Sequence, residues 1–326
     1  MIDPLEPRRL FDSVTFSDKG VLTIEGSRHA DLVTFAEKKR ADVDKNGDVT
    51  INTHLYVTID ETFFGDFNEG LINKIFIKLG NGNDKCQVGP VNKLGFNIDG
   101  GNGNDTLGGG FGRDTISPGQ GKDVVTGSKG NDTFIETSDQ DIVSGGKGKD
   151  TADFSAFSTT LNITLDNVAN DVEPGRTGNI QSDIETIIGG GGPDFISAET
   201  VITPVRIFGG GGNDTIRGGL SDDTLKGGKG NDDLRGGDGN DYINGDAGHD
   251  KEFGQSGSDT LNGGGPDPKF IPLPLQLPTD NPDTLIGTGD GSEDTLDGGT
   301  NTDSATQGPE ADVALADPFD ITMNIP

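Results

Sequence analysis

The chain is poor in the residues from which ordinary hydrophobic cores are built. It has 326 residues but no Trp, two Tyr and only 29% hydrophobic side chains, and its formal net charge is -30. A chain with so little apolar surface and so much charge does not fold by apolar burial alone. We therefore expect the metal-free chain to be largely disordered and the metal-bound chain to be folded.

Further absences narrow the functional classes. A single cysteine, Cys86, excludes an intramolecular disulfide. No apolar stretch reaches the length of a transmembrane helix, and no N-terminal apolar segment marks a Sec signal peptide. The acidic excess argues against a nucleic-acid partner, which requires a basic surface. The three His residues are scattered and no H-E-x-x-H or G-x-S-x-G motif is present, so we expect no enzyme activity.

Two uninterrupted runs of a nine-residue repeat, at 100–153 and 209–262, dominate the sequence. The second run reads GGGGNDTIR, GGLSDDTLK, GGKGNDDLR, GGDGNDYIN, GDAGHDKEF and GQSGSDTLN, and the first run divides in the same way. Position six is Asp in all twelve repeats. Position eight is apolar in every repeat except the fifth of the second run, where it is Glu252.

The repeat has a direct structural interpretation. Glycines at positions one, two and four permit positive φ and close approach of neighbouring turns. Positions seven to nine form a short strand, and side chains alternate across a strand, so the apolar residue at position eight points inward. The pattern therefore predicts short strands joined by tight loops, with one core residue per repeat.

This pattern, G-G-x-G-x-D-x-U-x, resembles the RTX (hemolysin-type) calcium-binding repeat. The resemblance implies an all-β chain folded as a parallel β-roll, a right-handed β-helix of calcium-binding nonapeptide repeats. A short β-rich N-terminal region precedes it here. In that family two nonapeptides make one coil, so each repeat stacks on the next but one and their aspartates share an edge. Stacked carboxylates repel unless a cation lies between them, and carboxylates with loop carbonyls suit Ca²⁺ better than Mg²⁺.

We predict several Ca²⁺ ions, bound by position-six aspartates and loop glycines. The predicted aspartate ligands are Asp84, Asp105, Asp114, Asp123, Asp132, Asp141, Asp150, Asp194, Asp214, Asp223, Asp232, Asp241, Asp250 and Asp259. The predicted glycines are Gly101, Gly103, Gly110, Gly112, Gly210, Gly212, Gly228, Gly230, Gly237 and Gly239.

The repeats divide the chain into six predicted segments. These are a strand-rich N-terminal region (1–78), a first RTX β-roll block (79–153), a spacer with inserted strands and loops (154–208), a second RTX β-roll block (209–265), a Pro-rich loop with degenerate capping repeats (266–306) and an acidic C-terminal tail (307–326). The spacer resembles spacers of RTX proteins. We expect its strands LNITLD and DIETII to stack on the coil, with residues 167–182 looped out.

Weaker repeats precede the first run. Residues 26–34 have Asp31 at position six and Val33 at position eight, as in a decayed repeat. Cys86 falls at position eight, which predicts a core position for its thiol. In a later turn Phe96 takes the place of the aspartate, so we expect a coil turn without its ligand.

Residues 42–48, DVDKNGD, resemble the front of an EF-hand loop. However, Thr53 stands where that loop needs a bidentate Glu. The Asn46-Gly47 pair between alternating strands also indicates a β-hairpin. We favour the hairpin.

Both ends of the chain carry weaker resemblances. LEPRRL, at 5–10, resembles the LEPR-x-L-L element of extracellular proteins from planctomycete-type bacteria, and an irregular basic arm is the alternative. RTX proteins carry an uncleaved C-terminal signal for type I secretion, and the tail at 307–326 is a candidate for it. A simple cap on the roll is the alternative.

Together these features predict a secreted or cell-surface, extracellular calcium-binding protein that folds outside the cell and has a structural or adhesive role. Calcium sites of roughly 10⁻⁴–10⁻³ M affinity fill outside the cell and stay empty in the cytosol. The expected partners are calcium ions and a cell-surface or matrix component. The alternative function is an export and folding module of a secreted enzyme, of protease or lipase type, whose catalytic part is absent here.

Overall fold

The computed structural model describes residues 13–263, except residues 28, 44–45, 47–48, 61, 90–92, 137–139 and 172–177, together with the backbone of four later strands. The LEPRRL segment, the Pro-rich loop and most of the acidic tail lie outside the described residues. The chain divides into two compact units, Met1–Thr151 and Ala152–Pro326. Apart from one turn of 3-10 helix, Glu69–Leu71, the regular elements of the described residues are β-strands.

The strands of the first unit begin before the repeats. They are β1 (Ser13–Phe16), β2 (Val21–Glu25), β3 (Leu32–Val43), β4 (Val49–Ile59), β5 (Thr62–Asn68), β6 (Lys74–Asn81), β7 (Lys85–Val88), β8 (Phe96–Asn102), β9 (Thr106–Gly108), β10 (Thr115–Ser117), β11 (Val124–Thr126), β12 (Thr133–Ile135) and β13 (Ile142–Ser144). Strand β14 (Thr151–Asp153) spans the boundary between the units.

Strands of the first unit form two sheets, with the orders β1-β2-β6-β8-β10-β12 and β13-β11-β9-β7-β3-β4-β5. Within the repeats each strand pairs in parallel with the next strand but one. Equivalent repeat positions lie side by side, so that Ile116 is opposite Phe134 and Val125 is opposite Val143. This register is the predicted stacking of alternate repeats.

The N-terminal region joins the coil through β2, which pairs in parallel with β6, and through β3. This strand pairs in parallel with β7, which places Val33 opposite Cys86, and both side chains are buried. The prediction of a decayed repeat and of a core position for Cys86 is confirmed. Strand β3 also forms an antiparallel hairpin with β4, with Val43 opposite Val49, which confirms the hairpin interpretation. Phe96 is also fully buried, in the coil turn without an aspartate.

The second unit repeats the same construction. Its strands are β15 (Asn162–Thr164), β16 (Asn179–Ile180), β17 (Thr186–Ile188), β18 (Phe195–Ser197), β19 (Arg206–Gly211), β20 (Thr215–Arg217), β21 (Thr224–Lys229), β22 (Asp233–Asp238), β23 (Tyr242–Ala247), β24 (Lys251–Ser256), β25 (Thr260–Asn262), β26 (Thr284–Ile286), β27 (Thr295–Asp297), β28 (Ser304–Thr306) and β29 (Val313–Ala314).

Its two sheets have the orders β17-β19-β21-β23-β25-β26-β28 and β15-β18-β20-β22-β24-β27-β29. The spacer strands β15 and β17 pair in parallel with β18 and β19, as predicted. The weak repeats after the Pro-rich loop also join the sheets, since Leu285 lies opposite Leu261.

Position eight supplies the core of both units. Ile116, Phe134, Leu225 and Ile243, for example, have no exposed surface. Full burial of such a side chain contributes about 1.5–3 kcal/mol, and each repeat provides only one. The parallel pairing and this inward row confirm the predicted all-β, parallel β-roll. Within the described residues, no helix is long and apolar enough to cross a membrane.

Candidate metal centre

The position-six aspartates lie inside the loops. All fourteen predicted aspartate ligands are buried, with at most 3% of each residue exposed. Aspartate is almost never buried to this extent unless it is paired. Either the loops or a bound ion must therefore provide partners for these carboxylates.

One oxygen of each carboxylate is satisfied by the backbone of the preceding coil. The Asp105 backbone N–H donates to Asp123 Oδ1 at 2.6 Å, and the Asp214 N–H donates to Asp232 Oδ1 at 2.7 Å. Repetition of this bond gives four rows, which we call aspartate ladders. They are Asp31-Asp84-Asp105-Asp123-Asp141, Asp114-Asp132-Asp150, Asp194-Asp214-Asp232-Asp250 and Asp223-Asp241-Asp259.

The second oxygen of the interior ladder aspartates lacks a donor. Desolvating a charged oxygen without a hydrogen bond or counter-ion is costly. A cation beside this oxygen would remove the cost. The buried Oδ2 atoms without a hydrogen-bond partner include those of Asp84, Asp105, Asp123, Asp132, Asp214, Asp232 and Asp241.

A backbone carbonyl approaches the same oxygen from the next loop. At Gly127, an added Cβ would lie 2.3 Å from Asp132 Oδ2 and 2.6 Å from the carbonyl oxygen of Gly145. At Gly227 the equivalent distances are 2.2 Å to Asp232 Oδ2 and 2.7 Å to a carbonyl oxygen. A carboxylate and a carbonyl thus converge beside the position-one glycine, which leaves room because it has no side chain.

This donor set fits calcium. In the described part of the chain, no group of three or more His, Cys, Asp or Glu side chains is arranged to hold a metal ion. An ion between the loops would therefore be held by carboxylates together with backbone carbonyls. Ca²⁺ accepts such hard oxygen ligands in flexible geometry, whereas Mg²⁺ demands a strict octahedron and keeps its waters.

The other glycines set the loop conformation. At positions two and four, Gly228 has φ 108° and Gly230 has φ 132°, which only glycine adopts readily. A Cβ on Gly230 would also lie 1.5 Å from a carbonyl oxygen of the adjacent loop. The predicted glycines with positive φ are Gly101, Gly103, Gly210, Gly212, Gly228, Gly230, Gly237 and Gly239.

Gly110, by contrast, belongs to a second type of loop. Its N–H donates to Asp114 Oδ2 at 2.7 Å, so that carboxylate already has a donor on each oxygen, the other being the Phe96 N–H at 2.8 Å. Gly112, in the same loop, packs against the preceding coil: a Cβ on it would lie 2.0 Å from the Leu94 carbonyl oxygen.

The same capping occurs at the start of every ladder. The residue at position two donates its N–H to the first Oδ2, from Ser27 to Asp31, from Gly190 to Asp194 and from Gly219 to Asp223. The ladder starting at Asp223 has no aspartate before it, because Val205 occupies the preceding place. This capping was not predicted from the sequence. The sequence did contain a signal for it, because the turn that precedes Asp114 in the coil has Phe96 in place of an aspartate.

Burial raises the pKa of the ladder aspartates. For Asp105 the value rises to about 6, for Asp132 to about 7 and for Asp241 to about 8. Desolvation is the largest cause, and neighbouring ladder carboxylates raise these pKa values further. Without a cation the stacked carboxylates therefore bind protons near neutral pH, and a cation between them would favour the ionised form.

Two buried polar groups outside the ladders were not predicted. Asp171, in the spacer loop, is fully buried and accepts hydrogen bonds from the N–H groups of Thr164 and Ile180 at 2.7 and 2.8 Å. It therefore ties the predicted loop to the coil. Nothing in the spacing of Asp171 relative to the repeats indicated a buried role.

The other group is His54, which is 6% exposed. Its Nδ1 lies 2.5 Å from Asp66 Oδ1 and its Nε2 lies 3.0 Å from Asp42 Oδ2. The hydrogen bond with Asp42 is the main cause that raises the pKa of His54. The cluster joins β3, β4 and β5, so the Asp42 carboxylate of the EF-hand-like segment is engaged within the sheet.

Comparison with known proteins agrees with this geometry. The family model of the RTX calcium-binding nonapeptide repeat (4 copies) matches residues 97–116, 117–152, 181–200, 206–234 and 218–252. No curated protein matches the chain. The matched residues lie in both units and include most of the ladder aspartates. The chain therefore carries RTX calcium-binding nonapeptide repeats, folded as a parallel β-roll.

Proposed function

We propose that the chain is a secreted or cell-surface protein whose β-roll folds when it binds Ca²⁺ outside the cell, with a structural or adhesive role. The observation that carries this proposal is the set of buried ladder oxygens, such as Asp132 Oδ2 and Asp232 Oδ2, that have no donor. A roll that buries many such acceptors in their ionised form is stable only when cations occupy the spaces between loops.

The charge of the chain supports the same proposal. With a net charge of -30 and 29% hydrophobic residues, the metal-free chain resists collapse. Calcium sites with affinities of roughly 10⁻⁴–10⁻³ M are empty in the cytosol and filled outside the cell. The chain would therefore stay unfolded during export and fold after it.

The test is far-UV circular dichroism of EDTA-treated protein during a Ca²⁺ titration, with Mg²⁺ as the control. We expect a cooperative coil-to-strand transition near millimolar Ca²⁺ and none with Mg²⁺. A protein that is fully β in EDTA at pH 7.5 would contradict metal-driven folding. A fractionation of producing cells in the presence of calcium would test the location, and protein confined to the cytoplasm would contradict it.

One surface feature favours the adhesive form of the role. In the second unit Ile202 is 75% exposed and Leu220 is 49% exposed. The two loops are linked, because Leu220 N–H donates to the Val201 carbonyl and Ser221 Oγ donates to the Ile202 carbonyl. Contiguous exposed apolar surface marks interaction sites, and these hydrogen bonds place the two exposed residues on loops that lie side by side. Replacing Ile202 and Leu220 with Ser should reduce attachment to cells without changing calcium-induced folding, whereas unchanged attachment would favour a passive structural role.

A further inference from the structure

One edge of the first unit concentrates positive charge on its surface. Three loops of consecutive coils form this edge, at 109–114, 127–132 and 145–150. Their exposed charged side chains, which we call the basic edge, are Arg113, Lys129, Lys147 and Lys149. The acidic residues of these loops, each at most 1% exposed, are the ladder aspartates Asp114, Asp132 and Asp150. The basic edge is therefore a cationic surface on a chain whose net charge is -30.

The repeat aligns these cations along the roll. Lys129 and Lys147, both at position three, lie side by side in a parallel backbone bridge. Arg113 and Lys149 occupy position five of the first and third loops. Lys129 Nζ lies 3.8 Å from the centre of the Phe111 ring in the preceding loop, and this contact with an aromatic face holds the ammonium group at the edge. Because neighbouring strands are about 4.7–4.9 Å apart, the row extends over roughly 10 Å of the roll.

The repeat fold does not require cations at these positions. In the other repeats of the two runs, positions three and five are mostly uncharged, as at Asn102 and Asn104. Lys122 and Lys229 are the isolated basic exceptions. The row of cations on three consecutive loops is thus a property of this edge, added to a repeat that folds without it.

The ladder beneath the basic edge links its charge to calcium. Arg113 and Lys149 each directly precede a ladder aspartate in the chain. Charges interact over about 10 Å at 0.1 M salt, so ionised ladder carboxylates offset part of the positive field of the basic edge. Calcium ions between these loops would neutralise the carboxylates and strengthen that field.

We propose that the basic edge binds a linear acidic polysaccharide through its carboxylate or sulfate groups, and that calcium strengthens this binding. A row of cations along the roll suits an extended polymer whose anionic groups recur from sugar to sugar. Lysine, which dominates the row, provides compact charges on flexible stems and so tolerates different arrangements of those groups. Duplex DNA carries one charge per about 1.7 Å, and the net charge of -30 repels such a dense polyanion most strongly. This inference deepens the adhesive role and rests on the proposed function.

A matched pair of variants tests the basic edge. The basic-edge variant combines four substitutions of exposed side chains, Arg113→Gln, Lys129→Gln, Lys147→Gln and Lys149→Gln. The control variant removes the same number of exposed lysines and arginines from other strands, through Lys74→Gln, Lys78→Gln, Arg206→Gln and Lys229→Gln. Both variants have the same net charge, so a difference between them reports the position of the charge and not its amount.

The assay measures binding of the full-length chain to immobilised hyaluronan, which carries carboxylates, and to dextran sulfate, with uncharged dextran as the blank. At saturating Ca²⁺ and about 0.1 M salt, the basic-edge variant should bind at least about tenfold more weakly than the unsubstituted protein. The control variant should stay within about twofold. Lys147→Gln with Lys149→Gln, confined to the last loop, should give an intermediate loss. Binding should weaken in EDTA, and it should disappear at about 1 M salt, where the screening length is about 3 Å.

The outcomes separate the possible ligands. Binding to hyaluronan alone would identify carboxylates as the recognised groups, binding to dextran sulfate alone would identify sulfates, and either result supports the inference. Unchanged binding by the basic-edge variant, or an equal loss in the control variant, would overturn it. A preference for duplex DNA or for phosphatidylglycerol vesicles over both polysaccharides would also overturn it.

Circular dichroism of each protein during Ca²⁺ addition distinguishes this failure from failure of the proposed function. If the calcium-induced transition occurs and neither polysaccharide binds, only the inference about the basic edge is wrong. If the unsubstituted protein shows no transition, the proposed function itself is overturned.

Discussion

Asp232→Asn gives the most discriminating test of the ladder geometry. The Asn side-chain oxygen can still accept the Asp214 N–H, which now donates to Asp232 Oδ1 at 2.7 Å. The substitution therefore removes one negative charge and little else. Asp232 borders two inter-loop spaces, one toward Asp214 and one toward Asp250, so two calcium positions lose one carboxylate.

The expected change in the free energy of unfolding has opposite signs with and without calcium. If each affected site binds about tenfold more weakly, each loses about 1.4 kcal/mol of ligand-linked stability, or about 3 kcal/mol for both. In EDTA the same change removes a buried carboxylate whose Oδ2 has no donor. The variant should then be more stable than the unsubstituted protein at pH 8.

The assay is urea unfolding followed by circular dichroism, at saturating Ca²⁺ and in EDTA. Two neighbours serve as controls. Asp223 borders a single inter-loop space, toward Asp241. Asp223→Asn should therefore lower the free energy of unfolding in the presence of calcium by about half as much. Asp233→Asn removes an equal charge outside the ladder, where Asp233 pairs with Arg235, and should leave calcium dependence unchanged. Equal destabilisation of Asp232→Asn in both conditions would refute the reasoning, because Asp232 would then act through packing alone.

Three further predictions follow from the same geometry. Folding raises the pKa of Asp132 to about 7 and that of Asp241 to about 8. The contribution of these two residues to metal-free stability is therefore complete below the unfolded pKa of about 4 and is lost as pH rises through 7–8. Circular dichroism in EDTA should show more strand at pH 5 than at pH 8.5, and the reverse would contradict the raised pKa values. Gly103→Ala places a Cβ 1.4 Å from a carbonyl oxygen at φ 138° and should cost about 3 kcal/mol or more in calcium-bound stability, whereas Gly108→Ala, with its nearest contact at 3.7 Å, should cost much less. Hydrogen bonding to carboxylates raises the pKa of His54. The stabilisation that His54 provides is therefore complete below its pKa in the unfolded chain and is lost as pH rises through its pKa in the folded protein. His54→Gln should lower the melting temperature more at pH 5.5 than at pH 8.5, and a loss that does not depend on pH would refute a charged imidazole.

The sequence was sufficient to predict the ladders because the repeat fixes both strand register and loop position. Asp214 and Asp232 are eighteen residues apart, and one coil of the roll consumes the same number. The position-eight residues follow for the same reason, since a period of two within a strand turns only one side chain inward. Even Asp31, fifty-three residues before Asp84 in the chain, was identifiable from its repeat position.

Other parts of the candidate site depend on contacts that no period encodes. Glu136 differs from its neighbours in sequence, because most repeats of the two runs have Gly at position one, but its full burial appears only when the coils are stacked. The His54 cluster requires the pairing of β3, β4 and β5, which brings Asp42 and Asp66 to opposite sides of one imidazole ring. Such long-range polar pairs are invisible to hydrophobic patterning.

The backbone of the interior loops explains why these repeats depend on a cation. Loops 100–105 and 118–123 exchange two hydrogen bonds, from the Gln120 N–H to the Gly101 carbonyl at 2.6 Å and from the Gly103 N–H to the Gln120 carbonyl at 2.8 Å. These donors are used for stacking and do not reach Asp105 Oδ2. In the capped first loops the position-two N–H supplies that missing bond, as at Gly110 and Asp114. Each added coil therefore brings carboxylate oxygens that the backbone does not satisfy, so the calcium requirement of the roll should grow with its length, beginning at the second aspartate of each ladder.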